Sequence, residues 1–298
     1  MTKVSIIVPF YEGERFINNL KQLYQSIAIE ANKKGIKLEV IIVNDSPWIQ
    51  LSTTSFKNNN LYELKIITND QNYGIHLSRI NGIKHSTGEY IIMLDQDDII
   101  EANTLYSQVQ LAQKNNADCI ISNGIMKGKN ENKIIINTNG KKYWCCRNLP
   151  YLISNNLLSS PGQCLIKKKS IPEFWMENIL KTNCSDDVYL WILLFRKQNK
   201  IIYNDKILYT HVYTGTNCSL DKLNGIESDL KVNSLLRESN QISPFLLYLH
   251  KRKCFYNKKR LQSKLIAGLI YIDYYLIMIL FKTIMYLTNL TYDTNYKG

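Results

Sequence analysis

The chain has 298 residues, 45% of them apolar and 21% charged, which is enough apolar material for packed cores and rules out a wholly disordered chain. With only 13 Gly and 6 Pro, collagen-like and Pro-rich classes are excluded as well. Lys and Arg outnumber Asp and Glu by 37 to 25, and half of that excess of 12 sits in residues 251–260 (KRKCFYNKKR), which hold no acid; charge alone leaves nucleic acid, an anionic membrane face or a phosphorylated small molecule open as partners.

The opening MTKVSIIVPFYEGERF has a short apolar run stopped by Pro9 and then by charges, so it reads as a strand and not as a secretory signal. Val4–Val8 is uninterrupted and β-branched, as expected of a strand buried on both faces of a parallel sheet. Apolar residues then recur at helical spacing over 14–32. Val40–Val43 repeats the strand pattern and ends in the turn signal Asn44-Asp45-Ser46-Pro47. Leu64–Thr68 is a third strand, His76–His85 a helix, and Tyr90–Leu94 a fourth strand running into Asp95-Gln96-Asp97-Asp98. This alternation is that of a doubly wound α/β half, whose ligands sit beyond the carboxyl ends of the strands.

Further on, a helix over 99–116, a strand at 118–122 and a short strand Cys164–Ile166 extend the sheet. Asp186-Asp187 open an apolar helix to about 196, and 201–213 read as a strand pair ending at His211. A boundary near 222 separates this α/β part, 1–222, from a helical C-terminal region, 223–298. Seven Cys without a C-x-x-C pair indicate neither a zinc site nor a disulfide framework, and free thiols in a reducing cytoplasm are expected.

Three constellations carry chemistry. Asp95-x-Asp97-Asp98 crowds three carboxylates, which suits a hard divalent cation, Mg²⁺ or Mn²⁺, that also holds phosphate oxygens; the alternative is a solvated turn in which Asp98 caps the following helix. Asp45 either accepts a nucleobase N–H or closes an ordinary Asx-turn. Asp186 and Asp187 are either a general base for an incoming hydroxyl or a helix cap. His211 is either a metal or diphosphate ligand or a packed histidine, and Gly215, Asn217 and Ser219 form a loop over the donor or merely a turn. Trp175 and Trp191 read as core residues.

V-S-I-I-V-P-F-Y, then E-V-I-I-V-N-D-S, then G-E-Y-I-I-M-L-D-Q-D-D, then a D-D opening a Trp-containing helix, resemble the family 2 inverting glycosyltransferases with the GT-A fold, over about 1–220. The S-P-G-Q…I-P-E-F-W…D-D-V-Y-L-W stretch is similar to the enzymes that build bacterial capsule or other surface polysaccharides. The resemblance implies a metal-dependent hexosyltransferase. It moves a sugar from a nucleotide donor, UDP-linked by expectation, to a hydroxyl of a glycan or lipid-linked glycan. Pro9 and Tyr11 match positions that cradle uracil, Asp45 the acid that binds the base, and Arg79 a basic residue near the nucleotide. Asp95 matches the acid near ribose and metal, Asp97 the metal ligand with His211 as a further candidate, and Asp187 the catalytic base with Asp186 beside it. Asn44 departs from the family's commoner acid, and no Q-x-x-R-W motif of processive synthases occurs.

Leu265–Leu287 is apolar but carries Asp273 and Lys282, so it is expected to lie at a membrane interface or pack on a partner helix, as in a homo-oligomer, and not to span. With the basic run before it, this implies a cytoplasmic enzyme peripheral at the inner face of the membrane. Two rivals stand beside this reading. A nucleotidyltransferase of related fold requires a Gly-rich loop where the chain has P-F-Y-E-G-E-R, and a non-catalytic nucleotide-sugar- or glycan-binding module predicts loss of acids that are present. Nucleic-acid binding has no motif to support it.

Overall fold

The computed structural model describes residues 1–56, 59–128, 131–196, 198–214 and 221–291. It comprises two compact units: Met1–Ile135 with Leu158–Ile171 and Asn199–Gly215, and Ile136–Leu157 with Pro172–Gln198 and Thr216–Gly298. This division is not the single cut expected at 222, because segments 136–157 and 172–198 pack with the C-terminal helices.

The first unit is built on one mixed sheet. Its strands are β1 (Lys3–Phe10), β2 (Lys37–Asn44), β3 (Glu63–Thr68), β4 (Tyr90–Met93), β5 (Ile99–Ile100), β6 (Cys119–Lys127), β7 (Asn132–Ile134), β8 (Cys164–Lys167) and β9 (Ile201–Val212). The order is β3-β2-β1-β4-β8-β6-β9-β5, with β7 beside β6. β1 pairs in parallel with both β2 and β4, and β8 runs antiparallel between β4 and β6. Val4, Ile6, Ile7 and Val8 are all fully buried, as a strand covered on both faces requires. Each such side chain contributes ~1.5–3 kcal/mol on burial. Helix α1 (Ile17–Lys33) buries Leu20, Tyr24, Ile27, Ala28 and Ala31, one stripe of its surface. α2 (Thr53–Phe56), α3 (Ile75–His85) and α4 (Thr104–Asn115) complete the unit.

Two elements differ from expectation. The helix expected over 99–116 begins only at Thr104, because Ile99 and Ile100 pair with Thr210 and Tyr209 of β9. The expected strand pair at 201–213 is one strand: the turn-like Asn204-Asp205-Lys206 is absorbed as an irregularity where Ser122 faces Asn204 and Asn123 faces Ile207.

The second unit is helical: α5 (Asn139–Trp144), α6 (Leu149–Ile153), α7 (Glu173–Glu177), α8 (Asp186–Leu194), α9 (Lys222–Glu238), α10 (Pro244–Arg260), α11 (Lys264–Ile270) and α12 (Ile272–Thr291). Trp175 and Trp191 are fully buried, the latter stacked on Phe195 at 4.9 Å. Lys253 reaches the carbonyl of Tyr151 at 2.7 Å, and Tyr274 that of Ile153 at 3.0 Å, so α10 and α12 are both tied to α6.

Candidate active site

Parallel pairing of β1 with β2 and β4 brings three polar strand ends to one edge of the first unit. After β1, Pro9 is half-buried and Tyr11 is 43% exposed. Gln96 clamps this turn by accepting from the Tyr11 N–H at 3.0 Å and donating to the Tyr11 carbonyl at 2.9 Å. The clamp needs Gly13, since a Cβ there would strike the Gln96 amide and the Phe10 ring. Glu12 takes a positive φ of 45° and donates its N–H to Ser46 Oγ at 2.9 Å, which joins the turn to the end of β2. Trp48 stands edge-to-face with Tyr11 at 6.1 Å and is 59% exposed. The two rings form an open aromatic corner that sequence reasoning missed, although a Trp three residues past Asp45 in a polar turn was a signal for it.

Asp45 is buried, and its carboxylate is engaged by Asn69 Nδ2 at 2.7 Å, Tyr73 N–H at 2.9 Å and Gly74 N–H at 2.8 Å. It therefore fixes the loop from β3 into α3. That helix carries Arg79, which is buried and donates to Asp95 Oδ1 at 2.6 Å. Ser160 donates to the other oxygen of Asp95 at 2.9 Å. Asp95 is thus held by a cation and a hydroxyl contributed by remote segments.

Asp97 and Asp98 separate sharply. Asp98 does not cap a helix. It is buried and accepts from Tyr209 Oη, the Val212 N–H at 3.0 Å and His211 Nδ1 at 3.1 Å. Burial pushes its carboxyl up, against the pull of His211. The hydrogen bond to Asp98 raises His211 above the usual imidazole range against its burial. That bond occupies Nδ1 and orients the ring, the arrangement by which outer carboxylates position histidine ligands. Asp97 is half-buried, with Thr214 Oγ1 at 3.4 Å from Oδ2. Burial, then the charges of Asp98 and Asp95, push its carboxyl up to about 6. The charges of His211 and Asp97 act on each other, and Asp95 adds to the negative field at both. Gly215, Asn217 and Ser219 lie outside the described residues.

Asp186 and Asp187 lie in the second unit, where α8 opens from Ser185 at a φ of 64°. Asp186 is buried, and its carbonyl accepts from Trp175 Nε1 at 3.0 Å. Asp187 is half-buried, with Oδ2 accepting from Asn156 Nδ2 at 2.8 Å and Oδ1 from the Val188 N–H at 2.7 Å. Of the pair, Asp187 is the one that reaches solvent.

The mixed sheet with carboxylates at the carboxyl end of β4 is GT-A-like, and the comparison with known proteins supplies the family. The model of Glycosyl transferase family 2 matches residues 5–175, and the chain belongs to that family. The Escherichia coli UDP-Glc:alpha-D-GlcNAc-diphosphoundecaprenol beta-1,3-glucosyltransferase WfgD is 28% identical over 66% of this chain and 71% of its own length. The Staphylococcus aureus poly(ribitol-phosphate) beta-N-acetylglucosaminyltransferase TarS is 30% identical over 44% of this chain, a match that spans 22% of TarS. Among solved structures, TarS 1–349 with UDP-GlcNAc aligns at a TM-score of 0.61 and 16% identity, covering 86% of this chain and 72% of that one. A Pyrobaculum calidifontis mannosyltransferase with GDP-Man and Mn²⁺ aligns at 0.57 and 13% identity, covering 99% and 88%. Both likenesses establish the fold.

Proposed function

We propose that this glycosyltransferase moves one sugar, with inversion, from a UDP-sugar to a hydroxyl of a glycan or lipid-linked glycan in bacterial surface-polysaccharide synthesis, using Mn²⁺ or Mg²⁺. The carrying observation is the Asp95–Asp97–Asp98–His211 cluster, whose central carboxyl is pushed up to about 6 by burial and then by the charges of Asp98 and Asp95. The similarity to WfgD and the UDP-GlcNAc complex of TarS support a UDP donor. Tyr11 and Trp48 present aromatic surface for a base at the strand ends, and Arg79 and Ser160 hold Asp95 still beside it. Asp45 serves this site by fixing the loop that starts α3.

A cation on Asp97 and His211 would neutralise the diphosphate as it departs. Asp187 takes the proton of the acceptor hydroxyl. The oxygen then bonds to the anomeric carbon, and the carbon–oxygen bond to the diphosphate breaks with its electron pair leaving on UDP. Asp186, buried at the same helix start, positions that turn. The expected results are UDP release that requires Mn²⁺ or Mg²⁺ and stops with EDTA, and a loss of roughly 10²–10⁴-fold in turnover for Asp187→Asn. Asp97→Asn abolishes metal-dependent release. Near-normal transfer by folded Asp187→Asn removes it from the role of base.

A further inference from the structure

A helix that is apolar all round is ordinarily buried all round. α12 is predominantly apolar, broken chiefly by Asp273, Lys282 and Asn289, and its two sides differ. Its inner side is fastened to the second unit along its whole length. Tyr274 is buried and donates to the Ile153 carbonyl at 3.0 Å, Phe281 is buried edge-on to Trp144 at 4.9 Å, and Asn289 Oδ1 accepts from the Asn139 N–H at 2.9 Å. A Cβ at Gly140 would collide with the Met285 carbonyl, so the contact at α5 is as close as backbone allows. On the other side, Ile272, Leu276, Leu280, Ile284, Leu287 and Leu290 form a row at spacings of three and four, each between 41% and 64% exposed. α11 adds Leu265 and Leu269, exposed at 75% and 68%. Soluble proteins seldom leave so large a contiguous apolar strip uncovered.

Asp273, the carboxylate that stands against membrane contact in the sequence, is drawn off this strip. It accepts from Arg252 and from Tyr248 Oη at 2.6 Å, and the Arg252 pair holds its carboxyl down at about 2. It is also the single acid among residues 244–291, against eight Lys and Arg. Lys264 and Lys282 are exposed on α11 and α12, which bear the strip, and Lys258 and Arg260 are exposed at the end of α10 that leads into them.

We infer that the outer face of α12, extended by α11, docks in the headgroup–acyl boundary of a bilayer containing anionic lipid, with α12 lying along the membrane plane. Apolar side chains entering the acyl boundary beneath a set of cations are the chemistry of an interfacial helix. A second copy of the chain fits less well, because symmetric pairing of this face sets the same cations against one another. A span fits less well too. No single helix among the described residues is long and apolar enough to cross, α11 and α12 meet at 101°, and crossing would strip Tyr274 and Asn289 from their partners.

Co-sedimentation of the full chain with phosphatidylcholine vesicles, with and without phosphatidylglycerol, tests this. Binding to the phosphatidylglycerol vesicles is expected, weaker on the order of tenfold on neutral vesicles or at high salt. The triple variant Leu276→Glu/Leu280→Glu/Leu287→Glu is expected to lose binding while keeping its thermal transition, whereas Leu223→Glu on α9 binds as before. Alkaline carbonate is expected to release the bound chain. No vesicle binding by the unmodified chain, binding unchanged in the triple variant, or retention through carbonate each overturns the proposal. So does an oligomer without vesicle affinity that the triple variant converts to monomer, since that makes the face a protein interface. The readout uses neither donor nor acceptor, so its failure is distinguishable from failure of the transferase reading.

Discussion

Glu39 shows how much one side chain organises. It is fully buried inside β2, yet it accepts from Ser5 Oγ, from Thr87 N–H at 2.8 Å, from Thr87 Oγ1 at 2.9 Å and from Lys65 at 2.8 Å. Burial alone would raise its carboxyl, but the bonds from Lys65, Ser5 and Thr87 outweigh that and hold it down at about 2. A carboxyl lower in the folded than in the unfolded chain stabilises above its unfolded value, ~4.3, and that stabilisation disappears as pH falls from about 5 towards 2. Glu39→Gln should therefore cost roughly 1–3 kcal/mol near neutrality and flatten the acid limb of stability against pH. Denaturant unfolding at several pH values checks both, and parallel limbs for the two proteins would refute the assignment. The same scale explains why the acid cluster was legible only as a cluster. Composition marks Asp95, Asp97 and Asp98 as crowded, but their separate duties depend on Arg79, Ser160, Tyr209 and His211, which are far away in sequence.

At the scale of elements, α3 sits on the sheet through Gly82. A Cβ there would collide with Ile7 Cγ2 and press on Val43 Cγ2 at 3.2 Å. Gly82→Ala should destabilise by roughly 1–3 kcal/mol through overpacking. Because Arg79 rides on the same helix, a raised KM for the donor should accompany the shift, measured beside the unfolding midpoint. A stable variant with unchanged kinetics would show that α3 yields without cost. β1, β2 and β4 were legible from the apolar runs Ile6–Val8, Val40–Val43 and Tyr90–Leu94, which double-sided burial explains. β5 was not, since two residues carry no period and its pairing depends on β9. Asn204-Asp205-Lys206 resembles a turn in composition. The chain instead keeps Asn204 in line, its side chain accepting from the Lys206 N–H at 3.2 Å while β6 supplies the register.

At the scale of the whole molecule, both units are assembled from segments distant in sequence, which composition cannot reveal. Strand periodicity tells which residues are buried but not which neighbours β6 takes; besides the short β7 it pairs with β8 and β9, both beyond residue 160. A chain ending at residue 199 should therefore aggregate, with β6 presenting a bare edge, and a soluble monomeric fragment in gel filtration would contradict that.

The position of β9 also bears on how the enzyme is born. Translation completes β6 about 85 residues before it completes β9, so at ~5–20 residues per second the nascent sheet waits roughly 4–17 s for its missing strand. Until residues 201–203 are made, the edge of Cys119, Ile120 and Ile121 that β9 covers stays unpaired, so slower translation of residues 128–212 should lower the yield of folded enzyme.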